Sequence, residues 1–399
     1  MSTTTDPTTR TMLALSAISY RGYNLVGDQA LKRALLKRLL DQCLTQLQPT
    51  IGYWSIVWGP CDFSPTVVGF DDAMMYVAEK VNDPTTLAIV IRGTNPISTT
   101  DFFYEDSLIE VQQPWPASAG AKISTSTALG LAVLLNLSWD KAVLDKPVLL
   151  SATPSLRERL RAEPRKITFT ASEGELSRAR TRIADMVTAH FKTAELLTAR
   201  SGAAELLTAV SGAGAQPPDG ITLEAFLRAR LRPGSSTNLY VTGHSKGGAQ
   251  SSTLALRLAE ILSDCVVYNY SFAGPTAGNK AFADYSDRIL AACCHRVWNQ
   301  RDVVPRTFVP SLMKEIPDVY ELTAVDRVTV AAGIASSIAA LSKVVYIQVA
   351  GDGTSFPSDL APNLDMTSQI GHQHVDAYLG WADLLGQISA KTLFAPVFG

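Results

Sequence analysis

Charge is scarce in this 399-residue chain, with 18% Asp, Glu, Lys and Arg and a formal net charge of −2. Such a balance leaves no electrostatic footprint for nucleic acid or for a strongly anionic partner. Hydrophobic residues make up 46%, which suits a sizeable buried core and argues against disorder. Cysteine is scarcer still. The five residues Cys43, Cys61, Cys265, Cys293 and Cys294 show no CxxC spacing, so no disulfide framework is expected, and adjacent Cys293 and Cys294 read as packed thiols.

No apolar run reaches the roughly 18 residues of a membrane span. "VTVAAGIASSIAALS" (Val328–Ser342) comes nearest but is rich in Ala, Ser and Gly, and a buried helix is expected there. The start, "MSTTTDPTTRTMLALSAISYRGYN", lacks a basic head followed by an apolar core and a small-residue cleavage site. A secretory signal is therefore not expected. The expected location is cytoplasmic, with export by a non-classical route as the alternative.

What is present alternates between strand-like and helix-like runs. "AMMYVAE" (Ala73–Glu79), "LAIVIRGT" (Leu87–Thr94), "LYVTG" (Leu239–Gly243), "CVVYNYSFAG" (Cys265–Gly274), "CHRVWN" (Cys294–Asn299) and "KVVYIQVAGDG" (Lys343–Gly353) read as strands. Several are continuously apolar, as in a sheet covered on both faces. Helical spacing follows at Gly247–Leu262, and residues 27–47 place Leu31, Leu35 and Leu39 on one helical face. Lys32, Arg33, Lys37 and Arg38 there read as a solvated face rather than a lipid-touching one. The pattern predicts an α/β fold with a largely parallel central sheet flanked by helices, as one domain over 1–399. Residues 1–65 form its N-terminal helical segment. Residues 140–235 read as a largely helical insertion, a candidate cap, with a polar helix pattern from Glu175 to Arg200 and the short repeat "TAELLTARSG", "AAELLTAVSG".

"LYVTGHSKGGAQ" (Leu239–Gln250) sets Ser245 between Gly243 and Gly247 at the end of a strand-like run. A Gly-x-Ser-x-Gly corner between strand and helix exposes a serine hydroxyl on a sharp turn. It also aims the backbone N–H of the next residue, Lys246, at a developing oxyanion near a helix N-terminus. Such a serine needs an acid and a histidine. Asp302, in "WNQRDVVPR", follows a strand in a loop stiffened by Pro305. Three histidines follow Ser245. His295 lies within a strand and reads as packed, whereas His372 and His374 in "SQIGHQHVDAYLGW" precede a helix pattern. The pair His372-x-His374, with Asp376 close by, lacks a further metal ligand at sensible spacing, so no metal or other cofactor is expected.

Four segments in order resemble the class 3 lipase family of α/β-hydrolases: "IVIRGTNPISTTDFFYED", "VTGHSKGGAQSSTLALRLAE", "YSFAGPTAGNKAFADY" and "RVWNQRDVVPR". The resemblance implies an α/β-hydrolase fold and a Ser-His-Asp triad of Ser245, His374 and Asp302, with His372 as the alternative base. It makes Thr94 an oxyanion donor beside Lys246, with Gly243 and Gly247 framing the elbow. Lys246 stands where the family usually has Leu. Ser98–Gly120 occupies the family's lid position, and its Phe102, Phe103 and Trp115 read equally well as flap or core. The implied activity is hydrolysis of acylglycerols or other fatty-acyl esters through an acyl-enzyme, with contact to a lipid interface. A phospholipase or acyltransferase on the same fold is the first alternative. A catalytically silent binding fold is the second.

Overall fold

The structure, a computed structural model, describes residues 5–25, 29–63, 73–94, 112–139, 220–231, 236–364, 366–395 and 397. The described residues of 1–139 and 221–397 form one compact unit. Of the expected insertion, 140–219 and 232–235 lie outside the described residues, as do Glu175–Arg200, the short repeat, Phe102 and Phe103.

The chain enters through helices α1 (Pro7–Ile18) and α2 (Gln29–Ile51) and then forms strands β1 (Trp54–Phe63), β2 (Ala73–Lys80) and β3 (Asp83–Ile91). Helices α3 (Thr125–Asn136) and α4 (Leu223–Arg230) precede β4 (Thr237–His244), α5 (Lys246–Ile261), β5 (Cys265–Phe272), α6 (Lys280–Leu290), β6 (Cys294–Asn299), α7 (Ala324–Ala340) and β7 (Thr354–Phe356). The seven strands lie in the order β1-β2-β3-β4-β5-β6-β7. Pairing is antiparallel from β1 to β3 and parallel from β3 onward. This is the mostly parallel, helix-flanked sheet of the α/β-hydrolase fold.

Burial on both faces explains the continuous apolar strands. On β2, Met75 and Val77 join a core with Leu254 and Leu258 of α5, while Met74, Tyr76 and Ala78 join a second core with Met12, Leu13 and Leu15 of α1. Successive side chains point to opposite faces, and here both faces are covered.

Several expectations need correction. The end of the 1–65 segment is a strand, β1, at the sheet edge, where the interior Gly59 and Pro60 hid its pattern and where proline is tolerated. Lys343–Gly353 is not a strand. Leu341–Lys343 is a 3-10 turn, Ile347 makes an isolated bridge to Gly278, and Ala350, Gly351 and Gly353 take positive φ just before β7. The buried helix expected at Val328–Ser342 is instead α7, whose Val325 and Val328 are 76% and 70% exposed. Trp115 belongs to the core, edge-to-face on Phe282 with Nε1 donating to Glu260 at 2.7 Å.

On α2 the buried row is Leu36, Leu40, Leu44 and Leu47, one position on from the leucines expected to face inward. That rotation carries Lys32 into the protein, so it does not belong to a solvated face. Its Nζ lies 2.6 Å from Asp62 of β1, and Arg33 Nε is 2.7 Å from the same carboxylate. Burial alone would raise the Asp62 carboxyl, but the two cations outweigh it and hold it below the usual range. Asp62→Ala strands two cations and should lower the unfolding free energy by about 3–5 kcal/mol in urea titrations.

Candidate active site

The elbow is built by close backbone approach. A Cβ at Gly243 would sit 2.1 Å from the Gly247 carbonyl oxygen, and one at Gly247 would sit 2.5 Å from that of Ile91 in β3. Only hydrogen fits at either position. Ser245, between them, caps α5 with φ 61° and ψ −130°, a conformation that costs a non-glycine residue energy. Its N–H donates to Phe272 O at 2.9 Å, and its carbonyl accepts from Gly248 N–H at 2.8 Å, so both sheet and helix hold the strained turn. Lys246 is the first residue of α5.

Strand register brings Thr94 to this edge. Ile91 pairs with Gly243, and His244 pairs with Phe272. A Cβ on Gly93 would lie 2.4 Å from His244 O, so the backbone next to Thr94 touches the elbow.

Asp302 lies just beyond β6 and is fully buried. Its Oδ1 accepts from Val304 N–H at 3.0 Å, and its Oδ2 meets His374 Nδ1 at 2.8 Å and the Tyr378 hydroxyl at 2.9 Å. The phenol also accepts from Asn299 N–H at 3.0 Å. Burial and then the Asp302 charge push the Tyr378 hydroxyl well above its ordinary value, which keeps it a donor.

His374 sits in a π-helical turn, His372–Asp376, between two short α-helical segments. Such turns recur where a side chain must be re-aimed. Fully buried Gln373 anchors the turn, its carbonyl and Oε1 accepting from Asn299 Nδ2 at 2.9 and 2.8 Å. His374 faces the elbow, its ring centroid 4.6 Å from that of His244. His372 points elsewhere, with Nδ1 3.9 Å from Asp376. His295, stacked on Tyr270, is remote from Asp302 in its bonding. Among the described residues no group of three His, Cys, Asp or Glu side chains could hold a metal.

The structure thus joins His374 to Asp302 and sets Ser245, Lys246 and Thr94 on the same sheet edge. Sequence reasoning missed Tyr20, His244, Asn299, Gln373 and Tyr378. Asn299 and Tyr378 stood inside quoted motifs, but nothing in spacing says that a phenol will bond a carboxylate.

Residues 219–311 match the family model described as lipase (class 3). The crystal structure of M37 lipase superposes with TM-score 0.70 at 26% identity, covering 97% of this chain and 95% of that one. The matches support the class 3 lipase family. A search of curated proteins gave no match. The lipase from Rhizopus microsporus var. chinensis, at 14% identity, covers 75% of this chain and 68% of its own with TM-score 0.37, too loose a fit to add to the case. The class 3 lipase match contains Ser245 and Asp302, whereas Thr94 and His374 fall outside it.

Burial, then the neighbouring His374, depress the His244 imidazole well below its ordinary 6.5. The unfolded chain therefore binds a proton near pH 6.5 that the folded protein refuses, so stability falls as pH drops through that value. Thermal unfolding from pH 8 to 5 should show the fall, and His244→Gln should flatten part of it.

Proposed function

We propose that the protein is a serine ester hydrolase acting on fatty-acyl esters through an acyl-enzyme. The observation that carries the reading is the 2.8 Å contact between His374 Nδ1 and buried Asp302, set against a strained Gly-x-Ser-x-Gly elbow. Ser245 Oγ attacks the ester carbonyl while His374 Nε2 takes its proton. Asp302 stays ionised, orients the ring and stabilises the imidazolium, with Val304 N–H and Tyr378 O–H holding the carboxylate. The backbone N–H groups of Lys246 and Thr94 receive the oxyanion. His374 returns the proton to the leaving alcohol, and water repeats the sequence on the acyl-enzyme.

The family and α7 both support this substrate class. Its Val330, Ile334 and Ile338 pack against Met313, Ile316 and Tyr346. From Val328 to Ala340 its sequence carries no charge, yet most of that stretch is exposed. Its Thr329 and Ser337 hydroxyls donate to Val325 O and Gly333 O within the helix at 3.0 and 3.1 Å. An uncharged face with two of its three hydroxyls already bonded within the helix suits the surface of a lipid phase.

Ser245→Ala should abolish labelling by a fluorophosphonate probe and lower turnover by about 10⁴-fold or more. Equal labelling of wild type and variant rejects the nucleophile. His374→Ala should be similarly inactive while His372→Ala stays active, and the reverse order reassigns the base. Val328→Asp should slow hydrolysis of emulsified triacylglycerol by about tenfold and leave a dissolved short-chain nitrophenyl ester within about twofold. Equal effects on both substrates count against the lipid-surface role.

A further inference from the structure

Ester hydrolysis by a triad needs no side chain at the position before the nucleophile, yet His244 is buried there with both nitrogens engaged. Its Nε2 lies 2.6 Å from the backbone carbonyl oxygen of His374, and its Nδ1 lies 3.0 Å from the Tyr20 hydroxyl. A carbonyl only accepts, so Nε2 carries the proton, and Nδ1 must accept from Tyr20. The small space beside the ring is walled by Leu13, Ala17, Val375, Leu379 and Leu393, with Tyr20 and with Tyr378, whose hydroxyl is already taken up by Asp302 and Asn299. The aliphatic side chains offer a water no hydrogen bonds, so water is a poor substitute for the Tyr20 phenol.

We propose that His244 is a positioning residue, a neutral strap from the elbow to the backbone of the general base, whose tautomer the His374 carbonyl sets and the Tyr20 hydroxyl holds. It rests on the triad reading and deepens it. Asp302 holds the His374 imidazole at Nδ1, about which ring and backbone can still rock. The strap adds a second hold, on the carbonyl of the same residue. It comes from the neighbour of Ser245, so the nucleophile-to-base distance is fixed locally and not through several strands. The π-helical turn that carries His374 is a single turn between short helical segments, and such turns are frequent at functional sites. Neutrality matters as well. The two imidazole centroids are 4.6 Å apart, and a cation on His244 would oppose the imidazolium formed on His374 during catalysis.

The two side-chain amides separate the roles of the nitrogens. In His244→Gln the amide nitrogen reaches the place of Nε2 and keeps the carbonyl bond, whereas in His244→Asn it reaches only the place of Nδ1. Rates are counted per phosphonate-titrated site, so unfolded protein does not contribute. His244→Gln should keep kcat within about threefold, while His244→Asn should lose about 10–100-fold in kcat with KM changed by less than about twofold. Tyr20→Phe should lower kcat by about fivefold, again with KM unchanged, and serves alone if the Asn variant yields no titratable sites. Equal kcat for Gln and Asn, a loss confined to KM, or an unaltered Tyr20→Phe overturns the strap. Ser245→Ala, which offers the phosphonate no site, is measured alongside per mole of folded protein. Full activity there overturns the triad and the strap together, whereas an inactive Ser245→Ala with equal Gln and Asn rates overturns the strap alone.

Discussion

The close approach of β4 to the start of α5 is the constraint on which the site depends. Gly243 and Gly247 let the backbone fold back within a distance no side chain would allow, and Gly247 rests against Ile91 of β3. The strain of a positive φ at Ser245 is carried by hydrogen bonds to Phe272 and Gly248. Every other functional group is positioned relative to that corner. Thr94 arrives because β3 pairs with β4, Asp302 because β6 pairs with β5, and His374 because Gln373 is tied to the end of β6.

Asp302 and His374, the proposed acid and base, are joined by more than their own contact. The Asp302 carboxylate accepts from a backbone amide and a phenol besides the imidazole, so its oxygens are satisfied while buried. Tyr378 in turn accepts from Asn299 N–H, which makes the end of β6, the acid and the helix after the π turn one bonded unit. Fully satisfied polar clusters of this kind are stiff, and stiffness at the base is what proton transfer at a fixed distance requires.

Much of this was legible in sequence. Continuous apolar runs marked β2 to β6, and the glycines around Ser245 marked the elbow through a steric need that spacing can express. What failed had physical causes. Gly59 and Pro60 disguised β1, which tolerates them as an edge strand with bulges. The apolar composition of Val328–Ser342 suggested burial, but composition does not say which side of a helix has a neighbour. Lys32 looked solvated because a helical wheel does not know that Asp62 waits on the adjoining strand. The partners of the site, Tyr20, Gln373 and Tyr378, were illegible for the same reason, since hydrogen bonds between remote segments leave no periodic trace.

Those remote bonds also order events in time. Tyr20 meets a residue 224 positions later, and the elbow meets His374 130 positions later still. A ribosome delivers these segments one after another, at about 5–20 residues per second. Ser245 and Asp302 are therefore synthesised before His374. Under the proposed function, the chain in that interval holds its nucleophile without its general base. The proposed nucleophile thus precedes its proposed activation along the growing polypeptide.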